Sequence, residues 1–435
     1  MNPAMQLFAK FGMRGLRAAV PYGHRRRSIR GVVAVMMIAA LHLATLAFAG
    51  ERDGKHWVAT WAASPQRASA PAQINGQTIR QILHVSLGGR EIRVRFSNAY
   101  GASPLLIGSA RIALSAGGPD IMRGSDRRIT FNGLSTIVIP AGALVVSDPI
   151  DFKLPALADL VVSLYLPDNV SLTTEHTESV QTTYISDVGD FTRAATFAAS
   201  TAGAFYVVSG VEVSAQQQAR AVVTLGDSVT VGFGSTPDTN RRWPDLLAER
   251  LQSNPATSKI AVVNAGVVGN RLLHDFVGTG ALARLDRDVL VQPGAKYVIV
   301  LQGNPDFLIP PLINTPSEIV TVEQVIQGYR QIIERGHALG LRVYGATLNP
   351  VEGYPFPGFW TDALEQSRQA INLWIRTGRA FDAVIDFDQL LRDPGSPSRL
   401  LPAYDSGDHV HPNDIGYQMM ADAIDLSLFR DVDQD

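Results

Sequence analysis

The stretch that decides the fold is Ala221-Val-Val-Thr-Leu-Gly-Asp-Ser-Val229. An apolar run rich in β-branched residues stops at Gly226-Asp227-Ser228. This is the pattern of a strand buried on both faces of a parallel sheet and closed by a turn. A serine at that point stands at the carboxyl edge of the sheet, where open α/β folds place their ligands. Alone, Gly-Asp-Ser is also an ordinary strand-to-loop turn whose Asp or Ser caps nearby backbone. The far end of the chain adds Asp408-His409-Val410-His411-Pro412. It supplies what a nucleophilic serine needs, an imidazole to take its proton and a carboxylate to orient the imidazole.

Working outward from residue 221, apolar runs near 221–226, 260–265, 296–302, 341–347 and 383–387 predict strands. Between them, segments near 243–253, 280–290, 322–338, 361–378 and 413–427 predict helices, one opening on the capping box Thr321-Val-Glu-Gln324. Alternating β and α elements imply a parallel sheet covered by helices on both sides. Residues 54–213 read differently. Arg90-Glu-Ile-Arg-Val-Arg-Phe-Ser97 alternates polar and apolar, Leu160–Leu166 and Phe205–Ser209 are further strand candidates, and Gly/Pro/Asn turn signals separate them. An all-β accessory domain of sandwich or jelly-roll type is expected there. The polar stretch 214–220 is read as the linker to an α/β domain at 221–430.

The first 49 residues are expected to be a leader. They hold seven basic residues and no acidic one, then an apolar run of about 16 residues from Gly31 to Leu46, then Ala47-Phe48-Ala49. A basic region, a short apolar run and an Ala-x-Ala site make a secretory signal peptide. The rival reading is a membrane anchor, but the run is short of the roughly 20 residues a span needs. Export to the periplasm or the medium is the expectation, with no stable membrane span after leader cleavage. Without those seven cations, 31 basic residues face 40 acidic ones, a net charge near −9, which argues against a nucleic-acid partner. The chain has no cysteine, which excludes disulfides, thiolate metal sites and a cysteine nucleophile.

Pro412-Asn413 before the last predicted helix would hold His411 on its entry loop, with Asp408 three residues back. Two other readings stand beside a catalytic one. Asp405, Asp408, His409, His411 and Asp414 also have the oxygen and nitrogen donors of a metal cluster, or they form a solvated acidic loop.

Taken together, these motifs resemble the SGNH (GDSL-type) hydrolases over about residues 221 to 427. Gly226-Asp227-Ser228 resembles the first block of that family, Asn264-Ala-Gly-Val-Val-Gly269-Asn-Arg271 the second and Asp408-x-x-His411 the fifth. The resemblance implies a flavodoxin-like α/β/α esterase or lipase fold. It implies Ser228 as nucleophile, His411 as base, Asp408 as its orienting partner, and the Ser228 and Gly269 N–H groups in an oxyanion hole. Trp57-Val-Ala-Thr-Trp-Ala-Ala-Ser-Pro65 resembles secreted members with an added N-terminal β-domain. The implied substrate is an acyl ester of a carbohydrate, lipid or aryl alcohol, and no metal or organic cofactor is implied.

The third block departs from the pattern. Where the family has Gly-x-Asn-Asp, this chain has Gly303-Asn304-Pro305-Asp306. Pro305 has neither a side-chain donor nor a backbone N–H, so Asn304 is the remaining candidate for the third oxyanion donor. Phe307–Ile313 and Tyr354–Trp360 are expected as loops at the ligand edge, as pocket wall or as packing. His176 and Tyr184 are candidates to reach the site from the β-domain, or else structural residues. An esterase working through an acyl-enzyme is the reading these features favour. The alternative is a carbohydrate-binding protein on an impaired hydrolase scaffold.

Overall fold

Five parallel strands carry the second half of the chain. They are β1 (Arg220–Gly226), β2 (Ile260–Gly266), β3 (Ala295–Leu301), β4 (Arg342–Ala346) and β5 (Ala383–Ile385), in the order β2-β1-β3-β4-β5. The order is flavodoxin-like, with the ligand crevice expected at the switch point beside β1. In β1 every residue from Ala221 to Gly226 is buried, so both faces of the sheet are covered there. The computed structural model describes residues 55–356 and 358–430. The expected leader, 1–49, lies outside the described residues.

The connecting helices are α1 (Ser228–Val231), α2 (Trp243–Ser253), α3 (Ala281–Leu285), α4 (Asn304–Leu312), α5 (Val322–Ala338), α6 (Asp362–Thr377), α7 (Phe387–Leu391) and α8 (Asp414–Ala423). The capping box of α5 is formed in both directions, Thr321 Oγ1 accepting from Gln324 N and Gln324 Oε1 from Thr321 N. The helix expected over 280–290 is α3 followed by a wider π-type turn at Asp286–Leu290. One expectation is corrected. Residues 307–313 are not a loop, since all but Ile313 lie in α4. Pro305 falls in the first turn of α4, where no N–H is needed. Pro310 and Pro311 lie near its other end, and their punctuation misled the sequence reading.

The residues before 216 form two large antiparallel sheets and a two-stranded ribbon of Leu105–Ile107 with Ile137–Ile139. One large sheet orders His56–Ala62, Val208–Ala215, Gly89–Ser97 and Ile150–Leu154, and the other is built on the long strands Gln66–His84 and Asp159–Thr177. Ile79, Leu83, Val94, Phe96, Val162, Leu164 and Val211 belong to their common core, so this is a sandwich. Trp61 meets the Phe205 ring edge-on at 5.0 Å.

The sandwich is joined to the α/β layers by shared core. Ala59 and Ala62, on its first strand, pack into the α/β core. Ala59 N donates to Pro293 O at 2.8 Å, and Val262 N of β2 donates to Ser86 Oγ at 2.9 Å. The strongest tie is Arg284, a fully buried guanidinium on α3. It donates to Ala265 O of β2, to Gly226 O of β1, to Asn270 Oδ1 and to Ser64 Oγ of the sandwich, and pairs with buried Asp288. Removing one partner of a buried charged network strands the others. Arg284→Met is therefore expected to cost about 3–5 kcal/mol, read as a lower urea midpoint, with Arg284→Lys losing less.

Candidate active site

The site begins at the end of β1, which is in register with the ends of β2 and β3, Gly226 lying opposite Gly266 and Leu301. The chain turns from Gly226 directly into α1. A β-carbon on Gly226 would collide with Thr230 Oγ1 and lie 2.5 Å from the Leu301 carbonyl oxygen, so only glycine fits. Asp227 caps α1, its carboxylate accepting from Val229 N at 3.0 Å. Ser228 is the first residue of α1, where a backbone N–H has no intrahelical acceptor.

His411 reaches Ser228 from the loop before α8. Asn413 holds that loop by capping α8, Oδ1 accepting from Ile415 N and Gly416 N, while its Nδ2 donates to the carbonyls of Ala403 and Asp405. His411 Nε2 lies 2.8 Å from Ser228 Oγ and His411 Nδ1 lies 2.5 Å from Asp408 Oδ2. The other Asp408 oxygen accepts from the N–H groups of Val410 and His411. Burial works to raise the Asp408 carboxyl, but the His411 hydrogen bond and charge and the two backbone donors outweigh it and hold it down to about 2. The Phe233 ring stands 4.8 Å from the His411 ring and limits where the imidazole can swing.

The remaining acidic residues of this loop have separate partners. Asp405 pairs with exposed His409 at 2.5 Å, and Asp414 accepts from Thr236 N and Oγ1. No group of three or more His, Cys, Asp or Glu arranged to hold a metal is found among the described residues.

Gly269 and Asn304 line the same cleft as Ser228 and His411. Gly269 has φ +62°, and a β-carbon there would sit 3.2 Å from the Phe276 ring. Among the described residues no acceptor faces its N–H. Asn304 is the first residue of α4, and its Nδ2 donates to Asn349 O at 3.1 Å, leaving the amide its second hydrogen. Pro305 also lines the cleft. Asp306 faces away from it, accepting from Leu272 N and Leu273 N, and so ties the β3 turn to the segment after Gly269.

Several residues of the site carry no motif. Asn349 lies in the segment that follows β4, and its Nδ2 donates to Val410 O at 3.0 Å, fastening the His411 loop. Only the Asn349-Pro350 turn signal marks it in sequence. Phe276 and Val277 line the cleft from a segment held by the sandwich. Tyr100 OH lies 2.6 Å from Thr279 Oγ1 and accepts from Arg287 at 3.0 Å. Of the two aromatic segments foreseen, Tyr354 and Phe359 line the cleft, while Trp360 packs beside Leu308, Val351, Phe359 and Val410. Pro357 lies outside the described residues. His176 and Tyr184 are not in the cleft. His176 is buried on Ser64 O, and Tyr184 packs on Ile82, Ala113, Ile121 and Val161.

Residues 224–419 match the GDSL-like Lipase/Acylhydrolase family, and this part of the chain is a domain of that family, an ester-hydrolase domain at the family's level. Solved structures similar to the chain include a GDSL-like lipase from Bacteroides thetaiotaomicron, with 19% identity over 49% of this chain and 90% of that one and a TM-score of 0.37. An acetyl xylan esterase from Geobacillus stearothermophilus shares 20% identity over 47% of this chain and 92% of its own, with a TM-score of 0.36. A carbohydrate acetylesterase from Sinorhizobium meliloti shares 15% identity over 47% and 95%, with a TM-score of 0.36. No curated protein matches the chain.

Asp227 gives a pH test of the site. Burial pushes its carboxyl up to about 6 from 3.8, against the Val229 N–H bond and the charge of His411. Its folded value is raised, so its ionisation costs stability above pH 6 and nothing below the unfolded value. Asp227→Asn keeps the cap and removes that cost. The variant is expected to match the native protein near pH 3.8 and to exceed it by on the order of 3 kcal/mol above pH 6, read by denaturant unfolding across that range.

Proposed function

We propose that the chain is a serine esterase that hydrolyses carboxylic acyl esters through an acyl-enzyme. The observation that carries this reading is the unbroken line from Ser228 Oγ to His411 Nε2 at 2.8 Å and from His411 Nδ1 to Asp408 at 2.5 Å. Ser228 Oγ attacks the ester carbonyl while His411 takes its proton. His411 then gives that proton to the leaving alcohol, and water repeats the sequence on the acyl-serine. Asp408 stays ionised throughout, as its low carboxyl value favours, and steadies the imidazolium. The Ser228 and Gly269 N–H groups hold the oxyanion, with the free hydrogen of Asn304 Nδ2 as third donor. This chemistry asks for no cofactor. The substrate is a small-molecule or glycan acyl ester.

Export through a cleaved leader is part of the proposal. It is supported by the basic, apolar and Ala-x-Ala pattern of residues 1–49, and is tested by N-terminal mass analysis of the protein recovered outside the cytoplasm.

A second reading rests on Pro305, which cannot donate where the family's asparagine does. On that reading the site is impaired and the protein binds glycan without turnover. Hydrolysis of p-nitrophenyl esters separates the two. Ser228→Ala is expected to abolish it. Asn304→Ala is expected to lower kcat by about 10²–10³, the usual cost of one oxyanion donor, while Pro305→Asn changes it little. No activity above Ser228→Ala, or a large gain in Pro305→Asn alone, would favour the impaired-site reading.

A further inference from the structure

We infer that the cleft beside Ser228 is a binding site for an alkyl acyl chain, so that the preferred esters carry acyl groups well longer than acetyl. The inference rests on the esterase reading above and adds the substrate class. The cleft encloses about 840 Å³, counting its open mouth. Asp227 and His411 are among its lining groups, and both stand at the reacting end. Asn304 stands there too, and Asn349 Nδ2 is engaged by the carbonyls of Pro350 and Val410. Beyond them the wall is Val268, Phe276, Leu308, Ile309, Leu312 and Phe359. None of these side chains can hydrogen-bond, and the Tyr354 hydroxyl is the one polar side-chain group beside them among the described residues.

A sugar ring laid on that wall loses most of its bonds to water with only the Tyr354 hydroxyl to replace them, whereas an alkyl chain loses nothing and buries apolar surface. The apolar character also continues outward from the mouth. Phe276 is 41% exposed, Leu312 40% and the adjacent Ile313 38%. Phe356, whose ring lies 5.2 Å from that of the cleft residue Tyr354, is 52% exposed. Large apolar side chains left in water together around a catalytic cleft fit a substrate that covers them. The α4 segment, through Leu308, Ile309 and Leu312, is the specificity-determining wall.

The test is the p-nitrophenyl series acetate, butyrate, hexanoate, octanoate. Burial of each methylene is worth up to about fourfold, so kcat/KM is expected to rise at least about tenfold from acetate to octanoate. Leu312 is partly exposed, and Leu312→Gln is expected to lower the octanoate value several-fold more than the acetate value. A flat or falling profile that still depends on Ser228 overturns the chain site and leaves the esterase reading intact. Chain binding is tested apart from turnover by calorimetry of octanamide and acetamide with Ser228→Ala. Tighter binding of octanamide supports the site even if no ester is hydrolysed, and equal or absent binding overturns it.

Discussion

One buried guanidinium holds the frame on which the site depends. Arg284 gathers the carbonyls that end β1 and β2, the amide of Asn270 and a hydroxyl of the sandwich. Buried backbone acceptors must be satisfied from within the protein: Gly226 O accepts from Val267 N as well as from Arg284, and Ala265 O accepts from Arg284. An exposed end would use water. Here the sandwich covers it, so a planar donor with five N–H groups does the task. The cost of burying that charge is offset by Asp288, which Arg287 also holds. Because Arg287 also donates to Tyr100, and Tyr100 meets Thr279, the same network reaches the segment that bears Phe276 and Val277. The sandwich thereby braces one wall of the cleft from behind, though no described sandwich residue lines it.

The electrostatics of the site divide its carboxylates into two kinds. Asp408 sits among donors, and its carboxyl is held down to about 2. Asp227 and Asp306 are buried, and their carboxyls are pushed up to about 6 despite backbone N–H partners. The difference follows from what each does. On the proposed mechanism, Asp408 faces an imidazole that gains a proton and must itself remain charged. Asp227 and Asp306 bind backbone N–H groups to fix α1 and the segment after Gly269, and their charge is a cost of that geometry rather than its purpose.

Much of this was legible in the residues. The five strands fall where apolar β-branched runs predicted them, because a strand buried on both faces has no other composition available. Ser228, Asp408 and His411 were legible because short spacings carry their geometry: a serine just past a strand end, and a carboxylate three residues before its histidine. Arg284 was not legible, since an arginine in a helical stretch reads as solvent-facing until the covering sandwich is known. Tyr100 and Asn349 were hidden because each acts across a long sequence separation. The segment 307–313 was misread because two prolines outweighed its apolar content, although a helix tolerates proline in its first turn and ends readily after a later one.

Pro305 shows how a motif and its geometry can part company. Counted along the chain, it occupies the position of a side-chain donor. In the fold, Gly303 adopts φ +142°, a conformation open to glycine, and α4 starts at Asn304. That start puts the Asn304 amide on the cleft wall, bonded to Asn349 O, and puts the proline where a missing N–H costs nothing. A positive-φ glycine, a polar first residue and a proline in the first turn form one consistent helix entry. On the proposed mechanism, the donor has moved one residue along the chain while the oxyanion it serves has not moved. Asp306, anchored to the backbone beyond Gly269, keeps the α4 start and the Gly269 turn at a fixed distance. The third donor would then be set by the same constraint that sets the second.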